Sequence, residues 1–157
     1  TIFNVMGPLL NPARAKRQVM GVFDNNLTRV LAEVLQRLGS EHVLIVSGTD
    51  GLDEITTTTE TEVVELKNGS LRRFTLTPED AGLKRAHPDD LKGGDADHNA
   101  KALMNVLEGH HSAYRDIAAI NAGAAWIDSA PNPTAKSSDK TRARTRTASS
   151  PASLLTP

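Results

Sequence analysis

Residues 18–46 read QVMGVFDNNLTRVLAEVLQRLGSEHVLIV, and this stretch carries the main structural signal of the chain. Its first apolar run predicts a short buried strand over residues 18–23. Apolar residues then recur at the spacing of one helix face, which predicts an amphipathic helix over residues 27–38. The run VLIV, residues 43–46, does not alternate, as is typical of a parallel strand covered on both faces. Strand, helix and strand form a βαβ unit, so the sequence predicts an α/β domain.

A second motif predicts a β-hairpin beside this unit. Two strand-like runs, residues 62–66 and 71–76, are separated by a segment that contains Asn68-Gly69. A type I′ turn needs a positive φ at both of its central residues, and Asn-Gly meets that need. The sequence therefore predicts two antiparallel strands here.

Capping residues place the helices. Asp24 precedes the first helix as a candidate N-cap, and Gly39 follows it as a C-terminal stop. Asp95 is positioned to cap a further helix over residues 96–108. A last helix, over residues 113–127, is rich in Ala and Ile, so we expect it to pack closely against the sheet.

Composition excludes several classes of protein. The 157 residues carry a formal net charge of −1 and no cysteine. Without cysteine, disulfide scaffolds, thiolate catalysis and Cys-ligated zinc or iron–sulfur sites are excluded. No apolar run approaches the ~20 residues of a membrane span, and no signal peptide is recognisable, so we expect a cytoplasmic domain. Near-neutral charge gives no whole-chain reason to expect nucleic-acid binding.

The composition changes near residue 129. Residues 129–157 lack aromatics and carry five basic residues against one acid. Such a segment buries too little apolar surface to offset the entropy of ordering it. We therefore predict an α/β part, residues 1–128, and a disordered, low-complexity basic tail, residues 129–157. A solvated terminus is favoured over a nucleic-acid-binding tail, and a shifted reading frame near residues 126–129 is our hypothesis for its origin.

The most informative polar stretch is SGTDGLDE, residues 47–54. It follows the second strand directly, and ligands of open α/β sheets bind beyond that edge. Its carboxylates, Asp50, Asp53 and Glu54, are hard oxygen ligands that suit Mg²⁺, particularly where a substrate phosphate completes the coordination. A solvated acidic loop is the alternative, and spacing alone favours it.

The segment GPLLNP, residues 7–12, is rigid and poor in polar atoms. Its two prolines predict that an N-terminal helix or turn breaks at residues 7–8 and again at residues 11–12. A loop of this kind can wall a flat organic substrate, but without other evidence a simple helix terminator is favoured. The residues alone thus indicate an α/β domain with a possible metal–phosphate loop, and they name no reaction.

Read together and in order, five segments resemble anthranilate phosphoribosyltransferase of tryptophan biosynthesis. They are TIFNVMGPLLNPA (1–13), RQVMGVF (17–23), SGTDGLDEITTTT (47–59), LKGGDADHNAKAL (91–103) and YRDIAAINAGAA (114–125). The resemblance implies part of an α/β domain of the phosphoribosyltransferase and nucleoside-phosphorylase type, with a β-hairpin and flanking helices. It also implies that the family's N-terminal helical domain is missing from this chain.

The resemblance implies a reaction and its residues. Such enzymes displace pyrophosphate from phosphoribosyl pyrophosphate (PRPP) with the amine of anthranilate, giving N-(5-phosphoribosyl)anthranilate. By resemblance, Asp53 and Glu54 hold Mg²⁺, while Gly7 and Pro8 line the anthranilate channel. The full-length parent is expected to be a homodimer. The family's glycine-rich loop for PRPP has no counterpart here, so we expect the chain to be inactive by itself.

Two other functions stay open. A pyrimidine-nucleoside phosphorylase has the same fold, but the GPLLNP and DGLDE loops argue against it. A non-enzymatic relative could bind nucleic acid through Arg14, Lys16, Arg17 and the basic tail. The sequence departs from the family pattern at Ser47, where His is frequent, and in the tail, where a further amphipathic helix is expected.

Overall fold

The computed structural model describes residues 2–13 and 15–129, with side chains for residues 6–13 and 15–126. The predicted tail lies outside the described residues except for Ser129, which ends the last helix. The helices are α1 (Ile2–Leu9), α2 (Asn25–Arg37), α3 (Ala96–Leu107) and α4 (Ala113–Ser129). The strands are β1 (Arg17–Gly21), β2 (His42–Gly48), β3 (Thr61–Lys67) and β4 (Ser70–Leu76). Two short 3₁₀ helices, Pro78–Ala81 and Pro88–Leu91, lie between β4 and α3.

The predicted βαβ unit is confirmed. β1 pairs with β2 in parallel, and Val19 stands opposite Leu44. The four strands follow the order β1-β2-β3-β4, and β3 runs antiparallel to both of its neighbours, β2 and β4. The fold is therefore α/β, with one mixed sheet: β1 and β2 of the βαβ unit are parallel, and the hairpin adds two strands to the edge formed by β2.

Helix α2 begins where its cap predicts. Asp24 accepts a hydrogen bond from the Asn26 amide at 2.9 Å, and the helix ends before Gly39, whose φ is +85°. Because Asp24 caps the first turn, α2 starts two residues before the apolar periodicity does. Its buried face, led by Leu31 and Leu35, packs on the sheet.

The hairpin is closed by the predicted turn. Asn68 has φ +50° and Gly69 has φ +77°, as a type I′ turn requires. This turn sets Lys67 opposite Ser70, and the register keeps Leu66 fully buried opposite Leu71. Because side chains alternate along a strand, the turn also determines which face of β3 is buried.

Both faces of the sheet are covered. One core lies on the α2 side and contains Met20, Val22, Leu31, Ala32, Leu35, Val43, Ile45, Val64 and Leu66. A second, smaller core contains Val46, Ile55 and Val63, with Ile120 and Ala124 of α4 packed against it. Close packing of the last helix against the sheet is thus confirmed, and it explains why the run in β2 is continuously apolar.

The predicted break at residues 7–8 is wrong. Helix α1 continues through Gly7 and Pro8 to Leu9. A proline so near the C-terminal end of a helix removes only one backbone donor, and the last turn is closed by a bond from the Leu10 amide to the Met6 carbonyl at 3.0 Å. No helix in the described part of the chain is long and apolar enough to cross a membrane.

Candidate functional site

The loop between β2 and β3 lies across the end of β1. Its closest approach is at Gly21, the last residue of β1, where a Cβ would stand 1.6 Å from the Asp53 carbonyl oxygen. Any side chain at Gly21 would overlap the loop backbone, so glycine is needed there. The acidic loop thus occupies the carboxyl edge of the parallel strands, as predicted.

Asp50 is tied into the loop itself. Its carboxylate accepts hydrogen bonds from the Thr56 hydroxyl at 2.6 Å, from the Thr58 hydroxyl and from the Leu52 amide at 3.2 Å. Partial burial raises the pKa of Asp50, but these donors together outweigh burial and lower it. Because its oxygens already have internal partners, Asp50 supports the loop and is poorly placed to bind a cation.

Asp53 and Glu54 are differently placed. Asp53 is exposed, and its carboxylate has no hydrogen bond or ion pair within the described part of the chain. Glu54 is half-buried, and one oxygen lies 3.4 Å from the Asn121 amide nitrogen. Burial, then the negative charges of Asp53 and Asp50, raise the pKa of Glu54. A divalent cation would offset this concentration of negative charge.

These two carboxylates fit Mg²⁺ as one side of a shared site. Among the described residues there is no group of three His, Cys, Asp or Glu side chains that could hold a metal ion. Mg²⁺ commonly keeps several waters and takes one or two carboxylates plus substrate phosphates. Asp53 and Glu54 therefore match a phosphate-bound Mg²⁺ better than a site closed by protein ligands alone.

A residue that the sequence interpretation missed, Asn121 of α4, fastens this loop. Its side-chain oxygen accepts from the Ile55 amide at 2.9 Å, and its nitrogen donates to the Ile55 carbonyl at 2.9 Å. The same nitrogen donates to the Ile117 carbonyl one turn earlier. The sequence offered one indication of this role: Asn121 is a single amide residue within the Ala- and Ile-rich run of the last helix.

Pro8 lines a cleft of about 660 Å³ at the other end of the sheet. The wall also includes Lys16 and Gln18 at the start of β1 and Leu38 just after α2. Gly7 does not line this cleft, and a Cβ at Gly7 would meet nothing within 4 Å. The cleft is a mixed polar and apolar space.

The structure does not bring the two predicted sites together. Pro8 lines the cleft that Lys16 borders at the start of β1, whereas Asp53 lies against Gly21 at the end of β1. The strand path between Lys16 and Gly21 is roughly 16–17 Å at the usual rise per residue. The assignment of Gly7 and Pro8 to substrate contact therefore stays a prediction.

The basic residues near β1 are partly neutralised. Lys16 donates to the Glu41 carboxylate at 2.9 Å, and this bond lowers the pKa of Glu41. Arg17 is half-buried, and Arg14 lies outside the described residues. The described residues thus present little free positive charge here for nucleic acid.

Comparison with known proteins identifies the family. The family model "Glycosyl transferase family, a/b domain" matches residues 1–148, and so extends into the predicted tail. The chain belongs to this family. Its α/β architecture is thereby confirmed, and the relatives described next confirm the resemblance to anthranilate phosphoribosyltransferase.

Relatives within the family are similar to this chain over most of its length. The anthranilate phosphoribosyltransferase of Rhodopseudomonas palustris (strain BisB5) is 57% identical over 127 residues, which are 81% of this chain and 38% of that protein. The anthranilate phosphoribosyltransferase from Saccharomyces cerevisiae in complex with PRPP and Mg has a TM-score of 0.66 and 30% identity, covering 77% of this chain and 36% of that one.

The Saccharomyces cerevisiae enzyme in complex with 4-fluoroanthranilate has a TM-score of 0.61 and 33% identity, covering 69% of this chain and 31% of that one. The chain thus spans less than two fifths of the length of these relatives.

Proposed function

We propose that this chain is part of a Mg²⁺-dependent phosphoribosyltransferase that joins the phosphoribosyl group of PRPP to anthranilate, with release of pyrophosphate, in tryptophan biosynthesis. The observation that carries the proposal is the pair Asp53 and Glu54. They are presented at the carboxyl edge of β1 and β2, while Asp50 in the same loop is engaged internally. Relatives in this family bear that enzyme's name, and one is described in complex with PRPP and Mg.

The charge of the reaction explains why a carboxylate pair is needed. As pyrophosphate leaves, negative charge grows on its oxygens and positive charge on the ribose carbon. Mg²⁺, when bound, neutralises the leaving group and orients it. In the proposed role, Asp53 and Glu54 hold that ion at the sheet edge. The partial burial of Glu54 limits the motion of its side chain, and the bond from the Ile55 amide to Asn121 holds the adjacent loop backbone.

The proposal also covers the anthranilate contacts, the oligomeric state and the location of the full-length parent protein. We propose that Gly7 and Pro8 contact anthranilate, for which the family resemblance is the support. A homodimeric parent and a cytoplasmic location are proposed on the same basis. Because the chain spans less than two fifths of its relatives, we expect it to have no turnover by itself.

A chimeric enzyme tests the proposal. The matched 127-residue segment of this chain would replace its counterpart in the Rhodopseudomonas palustris relative, and consumption of anthranilate with PRPP and Mg²⁺ would be measured. We expect turnover in the chimera. Asp53→Asn or Glu54→Gln should lower kcat about 100-fold or more, as removal of one charge-stabilising group typically does. The control Asp97→Asn, an exposed carboxylate of α3, should leave kcat unchanged.

A folded chimera without activity would refute the proposed reaction. Equal Mg²⁺ dependence of the rate in the chimera and both loop variants would refute the metal assignment. Salt-sensitive binding of the chain to random DNA, lost on removal of residues 129–157, would instead favour the nucleic-acid-binding alternative.

A further inference from the structure

We infer that Asn121 is a positioning residue, which holds the backbone of Ile55 so that Asp53 and Glu54 face a divalent cation in one fixed arrangement. The inference rests on the proposed function, because it assumes that these two carboxylates bind the metal. It assigns a role to α4, a helix that carries neither proposed ligand.

The geometry is a two-way hydrogen-bonded clamp. The Asn121 side chain accepts from the Ile55 amide and donates to the Ile55 carbonyl, both at 2.9 Å. Ile55 is 3% exposed, so water has little access to either backbone group. A primary amide can pair with both groups of one peptide residue, as a neighbouring strand would. An ionised carboxylate has no donor, and an alcohol carries its donor and acceptor on a single oxygen.

Asn121 is itself held in place. Its nitrogen also donates to the Ile117 carbonyl at 2.9 Å, within the same helix. Ile117 is buried, and Ile120 packs against the core below the loop, so α4 forms a fixed platform. On the α4 side, the loop is therefore held to a fixed helix by the Asn121 side chain.

The clamp acts at the residue next to the ligands. The backbone of Asp53 lies against Gly21 at the end of β1, and Glu54 directly precedes Ile55 in the sequence. The Asn121 nitrogen also lies 3.4 Å from the Glu54 carboxylate, close enough to favour one orientation of it. Loss of the amide would remove the hydrogen bonds that hold the loop on the α4 side, while the Gly21 contact and the Asp50 network remain.

A purely structural role, in which Asn121 only attaches α4 to the sheet, makes a different prediction. A matched control is Ile117→Ala, one turn away on the same helix, where a buried side chain is truncated but no hydrogen bond to the loop is removed. If attachment of α4 were all that mattered, this variant and Asn121→Leu would affect the loop alike.

The test uses the full 157-residue chain, with Mn²⁺ and inorganic pyrophosphate as the probe. Calorimetry would give the Kd, thermal unfolding the Tm, and amide exchange the protection of Ile55. We expect Asn121→Leu to raise the Kd about 10–100-fold, the usual effect of losing a group that orients metal ligands, and to speed exchange at Ile55. Ile117→Ala should lower the Tm while changing the Kd by less than about twofold.

Asn121→Ala is the second variant, because Ala favours the helix and leaves room for water if the larger Leu prevents folding. An unchanged Kd in a folded Asn121 variant, together with loss of binding in Asp53→Asn, would overturn the inference and leave the proposed function standing. No binding by the wild-type chain, or equal binding by Asp53→Asn, would overturn the metal assignment and the inference with it.

Discussion

Replacing Gly21 by Ala would place an atom inside the loop that carries Asp53. The new Cβ would stand 1.6 Å from the Asp53 carbonyl oxygen and 2.5 Å from its carbonyl carbon. Both are backbone atoms, so no side-chain rotation relieves the overlap. Non-bonded heavy atoms pack at about 3.5 Å, so the loop or the end of β1 must move by about 2 Å.

Two measurable effects follow from that displacement. Overpacking of this kind usually costs about 1–3 kcal/mol, so Gly21→Ala should lower the free energy of unfolding measured in urea by that amount. Metal ligands must keep their distances within about 0.2 Å, a tenth of the required shift. The Kd for Mn²⁺ with pyrophosphate, measured by calorimetry, should therefore rise by at least the ~10–100-fold seen when ligand support is lost.

Gly123→Ala is the matched control for this substitution. A Cβ at Gly123 meets nothing within 4 Å, and the residue lies inside α4 with no positive φ. This variant should stabilise the chain by roughly 0.5–1 kcal/mol through helix propensity and leave the Kd unchanged. If Gly21→Ala unfolds at the wild-type urea concentration and binds with the wild-type Kd, the loop does not lie on the end of β1 and the reasoning fails.

Three further substitutions test other parts of the structure. Gly69→Ala should cost about 1–2 kcal/mol in urea unfolding, because φ is +77° there while space is open, and a smaller loss would argue against the type I′ turn. Thr28→Val should cost about 1–3 kcal/mol, since the buried Thr28 hydroxyl has two acceptors, the Asn25 carbonyl at 2.7 Å and the Glu62 carboxylate at 2.8 Å. A neutral result would show that water satisfies these acceptors in the variant. The folded state lowers the pKa of Asp50, so its ionised form stabilises the fold above about pH 4 and that contribution is lost as the pH falls further. Asp50→Asn should flatten this acid dependence of the unfolding free energy, and an unchanged profile would contradict the role given to Asp50.

The features predicted correctly from the sequence are those encoded over a few residues. The cap at Asp24, the turn at Asn68-Gly69 and the periodic face of α2 each depend on neighbours within one or two helical turns or strand pairs. The break predicted at Pro8 was wrong because the cost of a proline depends on its distance from the helix end. That end is set by packing further along the chain, which the local sequence does not contain.

The contacts that hold the candidate site, by contrast, join residues that are far apart in the sequence. Gly21 meets Asp53 across 32 positions, and Asn121 meets Ile55 across 66. A glycine at a strand end and an amide in a helix each have many local explanations. Helix α4 is rich in small residues on every side, so its periodicity gave little indication that Asn121 faces the sheet. Such positions become informative only when the elements are placed in space.

The acidic loop illustrates why residue type alone does not define a ligand. The sequence presents Asp50, Asp53 and Glu54 as chemically equivalent oxygen donors. In the structure the number of internal hydrogen-bond donors differs among the three carboxylates: that of Asp50 has three, that of Asp53 none among the described residues, and that of Glu54 one long contact. A carboxylate whose lone pairs are already used must break those bonds before it binds a cation, whereas an unpaired one gives up only water. The loop thus engages its first acid internally and leaves the last two without strong internal partners, which suits the phosphate-bound Mg²⁺ proposed above.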